Sequence, residues 1–323
     1  MKKFLTKIFA YAVILAAVTL AVNACYLWTT RGDNAMNVPD GGIEICNFGS
    51  SHGQRGFNYE DFAGRYVCSN FGLSSQSLLY DYRILQFYRD KIRNGAAVFI
   101  TMSYFSLFGK PEVEGESFLS KNRRYYKFLP KELILAYDWK TDLYDNYLPV
   151  LNPNALKVLV KRMLHIGEKA KLFQENFNLY DEGWNIITTS EDAAQDAPQA
   201  YGRHISHRKD DAGVRMRRHE SFEALYGMIR LCRELGARPI LVTVPYTRDY
   251  TDTIKKNDPE FFGEFYAEIE EIKRNTGIEY YDYGFDERFC DAYELFINSD
   301  HLNREGARKF TDILLSEVLG ITS

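Results

Sequence analysis

The sequence lacks a dominant sign of charge. Its 40 lysines and arginines nearly balance 44 aspartates and glutamates, leaving a net charge of −4. Without a global basic field, nucleic-acid binding is not expected. The sequence also lacks a cysteine framework. Cys25, Cys46, Cys68, Cys232 and Cys290 are odd in number, and none pairs at close metal-ligand spacing. That argues against a disulfide scaffold and a zinc site. Cys46, Cys68 and Cys232 lie in apolar segments and read as small buried hydrophobes. A Cys46–Cys68 bridge between neighbouring strands is open to the chain in an oxidising compartment. No internal repeat is evident, and no disorder-prone composition: 46% of residues are hydrophobic and 26% charged, the balance of a folded globular body.

What is present begins with a membrane signal. Lys2, Lys3 and Lys7 precede an uncharged run from Ile8 to Thr30. The run is long enough to cross a bilayer, which needs about 20 apolar residues. Basic residues before it place the N-terminus in the cytoplasm and the body outside. Tyr26 and Trp28 suit an outer interfacial anchor. The expectation is an uncleaved single-pass helix over 1–30. The same residues admit a cleaved signal, with small residues at Ala21 and Ala24, or a lipidated Cys25.

The body, 323 residues less this anchor, is large enough for one α/β domain with an insertion or for two small domains. A polar linker covers 31–42. Then strands and helices alternate. Ile43 to Phe48 reads as a first strand and Arg65 to Phe71 as a second. Ser74 to Arg93 has apolar residues at helical spacing. Ala96 to Met102 is a continuous apolar run, as for a strand covered on both faces. From about 105 to 214 the pattern pauses in a stretch rich in Tyr, Lys, Asn and Asp, read as an insertion serving as lid or partner surface. Within it, Ala155 to Phe173 reads as an amphipathic helix and Thr188 to Pro198 as an exposed loop. Alternation resumes with a helix from His219 to Leu235, a strand from Pro239 to Val244, a helix from Pro259 to Asn275, a strand from Ile278 to Tyr283 and a closing helix from Asn303 to Leu319. This order predicts a mainly parallel sheet with helices on both faces, and ligands at the carboxyl ends of its strands.

Two segments carry chemistry. The first strand runs into Asn47-Phe48-Gly49-Ser50-Ser51-His52-Gly53, where glycines permit a tight turn. A serine there lies at a helix start, near free backbone N–H groups that can hold an oxyanion; an ordinary helix cap is the plainer reading. Near the C-terminus, Asn298-Ser299-Asp300-His301-Leu302-Asn303 sets a histidine beside an aspartate just ahead of the last helix. A serine nucleophile needs such a base, and the base an orienting acceptor. Among the other histidines, His52 follows the serine and reads either as facing the cleft or as a capping or packing residue, His165 and His219 as structural or exposed. His204 and His207 have a metal-capable spacing without accompanying carboxylates. Arg215, Arg217, Arg218 and Lys209 form a basic patch read as a solvated face.

On these residues the chain resembles the SGNH/GDSL hydrolases. Gly49-Ser50-Ser51 is similar to their first block, and Asp300-His301-Leu302-Asn303 with Gly306 to their last. The variant start, the anchor and the long middle stretch are most similar to DltD-like and extracytoplasmic O-acetylation proteins. The resemblance implies a flavodoxin-like three-layer α/β/α sandwich over 43–323 and a Ser-His-Asp site with no metal or cofactor. It implies Ser51 as nucleophile and His301 as base. The orienting acid of the family stands three residues before the histidine, where this chain has Asn298. Either Asp300 takes that role or the site is a Ser-His dyad. Gly72 matches the second block and is expected to donate its N–H to the oxyanion. The third-block asparagine is absent; Met102-Ser103-Tyr104 occupies that strand end, with Ser103 or Tyr104 as a substitute donor or as lining.

The expected function is therefore a serine esterase or O-acyltransferase acting on an acyl ester of a cell-envelope glycan or its acyl carrier. A membrane-bound O-acyltransferase is the implied partner. The alternative is a non-catalytic envelope scaffold that holds such a partner. Separation of Ser51 and His301 beyond hydrogen-bond reach would favour the scaffold.

Overall fold

The computed structural model describes residues 2–30, 36, 38–111, 118, 121–151, 153–164 and 182–323. In chain order its main elements are α1 (Lys2–Thr30), β1 (Ile43–Phe48), α2 (Ser51–Gly56), β2 (Cys68–Asn70), α3 (Leu78–Tyr88), β3 (Ile92–Thr101), α4 (Pro153–Met163), α5 (Ser190–His204), α6 (His219–Glu234), β4 (Arg238–Thr243), α7 (Arg248–Asn257), α8 (Phe261–Thr276), β5 (Glu279–Asp282) and α9 (Arg304–Leu319). Two compact units divide the chain: Met1–Asn34 with Val113–Ala170, and Ala35–Glu112 with Lys171–Ser323.

The second unit is an α/β fold on a parallel five-stranded sheet of order β2-β1-β3-β4-β5. That is the flavodoxin-like order, with crossover helices flanking the sheet. The central strands explain why. Ala96 to Thr101 of β3 are all buried, so no polar face remains for water. Helix α3 packs on α6, and α2 on α9. At the far end of α8, Gly277 adopts φ +66° and closes the helix.

The stretch expected as one insertion, 105–214, is shared between the two units. It contributes no strand among the described residues. The expected exposed loop over Thr188 to Pro198 is instead the start of α5. Thr189 accepts from the Asp192 N–H at 3.1 Å, while the Asp192 side chain reaches back to Thr189, a reciprocal cap. Ala193, Ala197 and Ala200 then bury one narrow face. Helix α7 was not expected between Pro245 and Pro259; it is capped by Thr247 and buries only Tyr250, Thr251 and Ile254. The predicted helix over Ala155 to Phe173 appears as α4; its part beyond 164, with His165, lies outside the described residues.

All five cysteines are free thiols. Cys68 faces Ile45 in register and Cys46 faces Ser69. Successive side chains of a strand alternate faces, so Cys46 and Cys68 point to opposite sides of the sheet and the bridge is not formed. Burial pushes the Cys68 thiol up to about 12.

The first unit holds α1 and the segment 121–164. Helix α1 is long and apolar enough to cross a membrane. Its Asn23 is buried against the unit's own chain: Nδ2 donates to the Tyr147 carbonyl at 2.6 Å and Oδ1 accepts from the Val150 N–H at 3.3 Å.

Candidate active site

The turn after β1 is shaped by a backbone that no other residue would follow easily. Gly49 has φ +143°, and a Cβ there would stand 2.7 Å from the Thr101 Cβ. Ser50 caps α2, its Oγ accepting from the His52 N–H at 3.4 Å. Beneath the helix lies a buried amide network. Asn47 Nδ2 donates to the Gly53 carbonyl at 3.0 Å and to Asn70 Oδ1 at 2.9 Å; Tyr59 donates to Asn47 Oδ1 at 3.1 Å. Asn70 in turn donates to the Gln54 carbonyl at 3.0 Å. The start of α2 is thereby fixed to β1 and β2, and Ser51 with it.

The segment 298–303 enters from the other end of the chain. Asn303 caps α9, its Oδ1 accepting from the Gly306 N–H at 2.9 Å, and its Nδ2 donates to the Glu294 carbonyl at 2.7 Å. Ser299 is held from both sides: its hydroxyl donates to Asp196 of α5 at 2.6 Å, and its carbonyl accepts from Thr247 Oγ1 at 2.7 Å.

These two segments meet. Ser51 Oγ lies 2.8 Å from His301 Nε2, and His301 Nδ1 lies 2.8 Å from Asp300 Oδ1. With the proton on Nδ1, the ring donates to Asp300 and its Nε2 lone pair accepts from Ser51, the arrangement a general base requires. Asn298, at the position of the expected acid, keeps a place beside the ring. Its Oδ1 lies 3.1 Å from His301 Nδ1 and accepts the His301 N–H at 2.9 Å. The imidazole N–H is thus flanked by one carboxylate and one amide oxygen.

Asp300 is wholly buried. Burial alone would raise its pKa. The charge of His301, the close approach of His204 and hydrogen bonding from His301 and His52 outweigh that and hold the carboxyl well below its ordinary range. Its second oxygen faces two more histidines. His52 Nε2 is 3.3 Å from Asp300 Oδ2, and His204 Nε2 is 3.0 Å from it without the alignment of a full hydrogen bond. Burial lowers His52 from 6.5 to about 3, against the opposing pull of Asp300. His52 is therefore neutral, and its contact with Asp300 is a hydrogen bond rather than an ion pair. Its Nδ1 faces the hydroxyls of Ser103 and Tyr246, each at 2.9 Å.

The residues expected at the oxyanion take other places. The Gly72 N–H donates to Asn70 Oδ1 at 2.9 Å. What the glycine supplies is space: a Cβ would come within 2.4 Å of the Gln54 nitrogen. Ser103 Oγ lies against Ser50 Oγ at 3.2 Å and against His52. Tyr104 is fully buried among Tyr246, Phe262 and Phe265, its hydroxyl beside Asp282 and Gly284 near β5. It packs the core and does not line the cleft. The roles of two residues are not visible in the sequence. His52 follows the serine in a helix of one and a half turns, and nothing local shows that its ring turns inward. His204 sits in a stretch that reads as insertion. His204 Nε2 faces Asp300, while His207 Nδ1 lies 3.4 Å from the Gly202 carbonyl. His219 is exposed beside Glu223.

His52, Asp300 and His301 each offer a ligand atom, all within 4.8 Å of one another. Two imidazoles and a carboxylate make a set that zinc accepts. Hydrogen bonds account for the same arrangement: each of the two rings meets Asp300 through one nitrogen and a hydroxyl through the other.

No family model matches the chain, and no curated protein matches it. Among solved structures it is similar to a Bacteroides fragilis protein described as a candidate acylhydrolase, at 10% identity and a TM-score of 0.37, covering 91% of this chain and 94% of that one. At that level the match records a likeness and nothing more.

Proposed function

We propose that the chain is a serine hydrolase or O-acyltransferase of acyl esters, with Ser51 as nucleophile, His301 as general base and Asp300 as the acid that orients it. The observation that carries this is the 2.8 Å contact of Ser51 Oγ with His301 Nε2, backed by Asp300 at 2.8 Å on the other ring nitrogen. His301 takes the Ser51 proton as Oγ attacks the ester carbonyl. The negative charge that develops on the carbonyl oxygen is met by the Ser51 N–H, one of the backbone donors at the start of α2. His301 returns the proton to the leaving alcohol. Water or a sugar hydroxyl then takes the acyl group from Ser51 by the same route in reverse.

The same contact weighs against the scaffold reading, which a separation of the two side chains would have favoured. The resemblance to DltD-like and O-acetylation proteins, together with α1, extends the proposal to an acyl ester of a cell-envelope glycan or its carrier. It extends it also to a body held outside the membrane beside a membrane-bound O-acyltransferase. The test is labelling of the full chain with a fluorophosphonate, followed by turnover of acetyl and D-alanyl esters. Labelling that disappears in Ser51→Ala and in His301→Ala supports the reading. Turnover undiminished in Ser51→Ala would sink it.

A further inference from the structure

The first unit leaves a large apolar surface uncovered, and it does so beside α1. Along α1 every residue from Phe4 to Val18 is exposed. Beyond Val18 covered positions set in: Thr19, Val22, Asn23, Cys25, Tyr26 and Leu27. Counted from Ile8, where the uncharged run begins, about 30 Å of helix at 1.5 Å per residue, the thickness of a bilayer's hydrocarbon core, ends near Leu27. Asn23 lies about one turn before the point at which a spanning α1 would leave the hydrocarbon. There it binds the Tyr147 carbonyl and the Val150 N–H.

The segment anchored there has the character of an interfacial element. In α4, Leu156, Leu159, Val160 and Met163 recur at i, i+3, i+4 and i+7 and form one apolar face, with Lys157 and Lys161 on the other. Only Leu159 of that face is covered; Met163 is 64% exposed. Before α4, Trp139 and Tyr147 are 61% and 64% exposed. Indole and phenol rings favour the headgroup level, where one end is apolar and the other wet.

We propose that the segment from Tyr137 to Leu164 is a second membrane-contacting element, lying in the headgroup boundary beside α1 with Trp139, Tyr147 and the apolar face of α4 in lipid. A helix with a lysine-bearing polar face and an uncovered apolar face is the form that lies in the plane of the interface. Continuity with α1 decides the occupant: the segment is hydrogen-bonded to the helix where that helix emerges, so a bilayer that receives α1 reaches it as well. The inference rests on α1 being membrane-seated and is independent of the chemistry at Ser51.

The test uses the full chain in phosphatidylcholine vesicles, with and without acyl-brominated lipid, which quenches indoles at the acyl boundary. The chain has Trp28, Trp139 and Trp184, and Trp184 is buried. The difference between Trp28→Phe and Trp28→Phe/Trp139→Phe isolates Trp139. That difference signal should lose most of its emission to brominated lipid and resist aqueous iodide. Val160→Glu/Met163→Glu should restore part of the emission while leaving fluorophosphonate labelling intact. Quenching by iodide but not by brominated lipid overturns the proposal. Shielding from both quenchers overturns it in favour of a protein partner on this face. If Trp28, read in Trp139→Phe, also escapes brominated lipid, the inference falls together with the membrane reading of α1. If Trp28 is quenched and Trp139 is not, it falls alone.

Discussion

Asp300 has two sides, and they are built differently. Its Oδ1 faces His301, a ring that reaches Ser51 and remains partly open to solvent. Its Oδ2 faces His52, a ring with no exposed side chain, closed in by Ser103, Tyr246 and Phe105. The two imidazoles contact the same carboxylate and are only 4.7 Å apart between ring centres. Their surroundings give them different work. His301 has the Ser51 hydroxyl on its far nitrogen and is partly open to solvent. His52 has only fixed hydroxyls, and burial takes away its ability to accept a charge at ordinary pH. In the proposed mechanism the first is the base and the second a neutral prop that holds the other side of the carboxylate.

Removing the open side should have the largest effect. Ser51→Ala and His301→Ala should each lower ester turnover by about 10⁴-fold or more, as loss of nucleophile or base does in serine hydrolases. Equal losses in the two variants would show that they act as one unit. Asp300→Asn should cost about 10³- to 10⁴-fold, because an amide no longer selects the tautomer with its proton on Nδ1. Asn298→Asp in that background should restore part of the loss, since Asn298 Oδ1 already stands 3.1 Å from Nδ1. Absence of rescue would mean that the backbone N–H groups held by Asn298 matter more than its nearness to the ring.

The closed side should matter less and show itself in acid. His52→Phe takes a donor from one oxygen of a buried carboxylate, which should lower stability by about 1–3 kcal/mol and lower kcat by less than Asp300→Asn does, with KM little changed. A kcat unaltered by this change would remove the prop role. The pH dependence has a definite sign. Unfolded His52 takes up a proton near its ordinary 6.5, whereas the folded ring does so only at about 3. Between those values the unfolded state binds more protons, so stability is present above 6.5 and is lost as pH falls towards 3. The lowered Asp300 carboxyl adds in the same direction. Denaturant midpoints of the native chain should fall steeply over that window, and those of His52→Phe less steeply. Parallel curves would show that His52 is not the group responsible.

Much of this frame is legible along the chain. β1 runs from Ile43 to Phe48 as its apolar pattern indicates, and the turn into Ser51 announces itself through Gly49. Gly277 and Asn303 mark helix ends by their chemistry. What is not legible depends on contacts between distant residues. His52 meets Asp300 across 248 positions, and no local pattern tells an inward-turned ring from a capping one. Helix α5 is hidden because its buried face is made of alanines, which carry little hydrophobic signal; His204 is hidden with it. Gly72 has the placement of a donor, yet its N–H is taken by Asn70 and the glycine is required by the backbone of α2 passing above it.

Asp300 and His301 are neighbours in sequence, and one amide oxygen, Asn298 Oδ1, accepts from both of their backbone N–H groups, at 3.3 and 2.9 Å. The proposed acid and base are thus delivered to Ser51 by one short strip with a shared fastening, so a change that displaces Asn298 disturbs both at once.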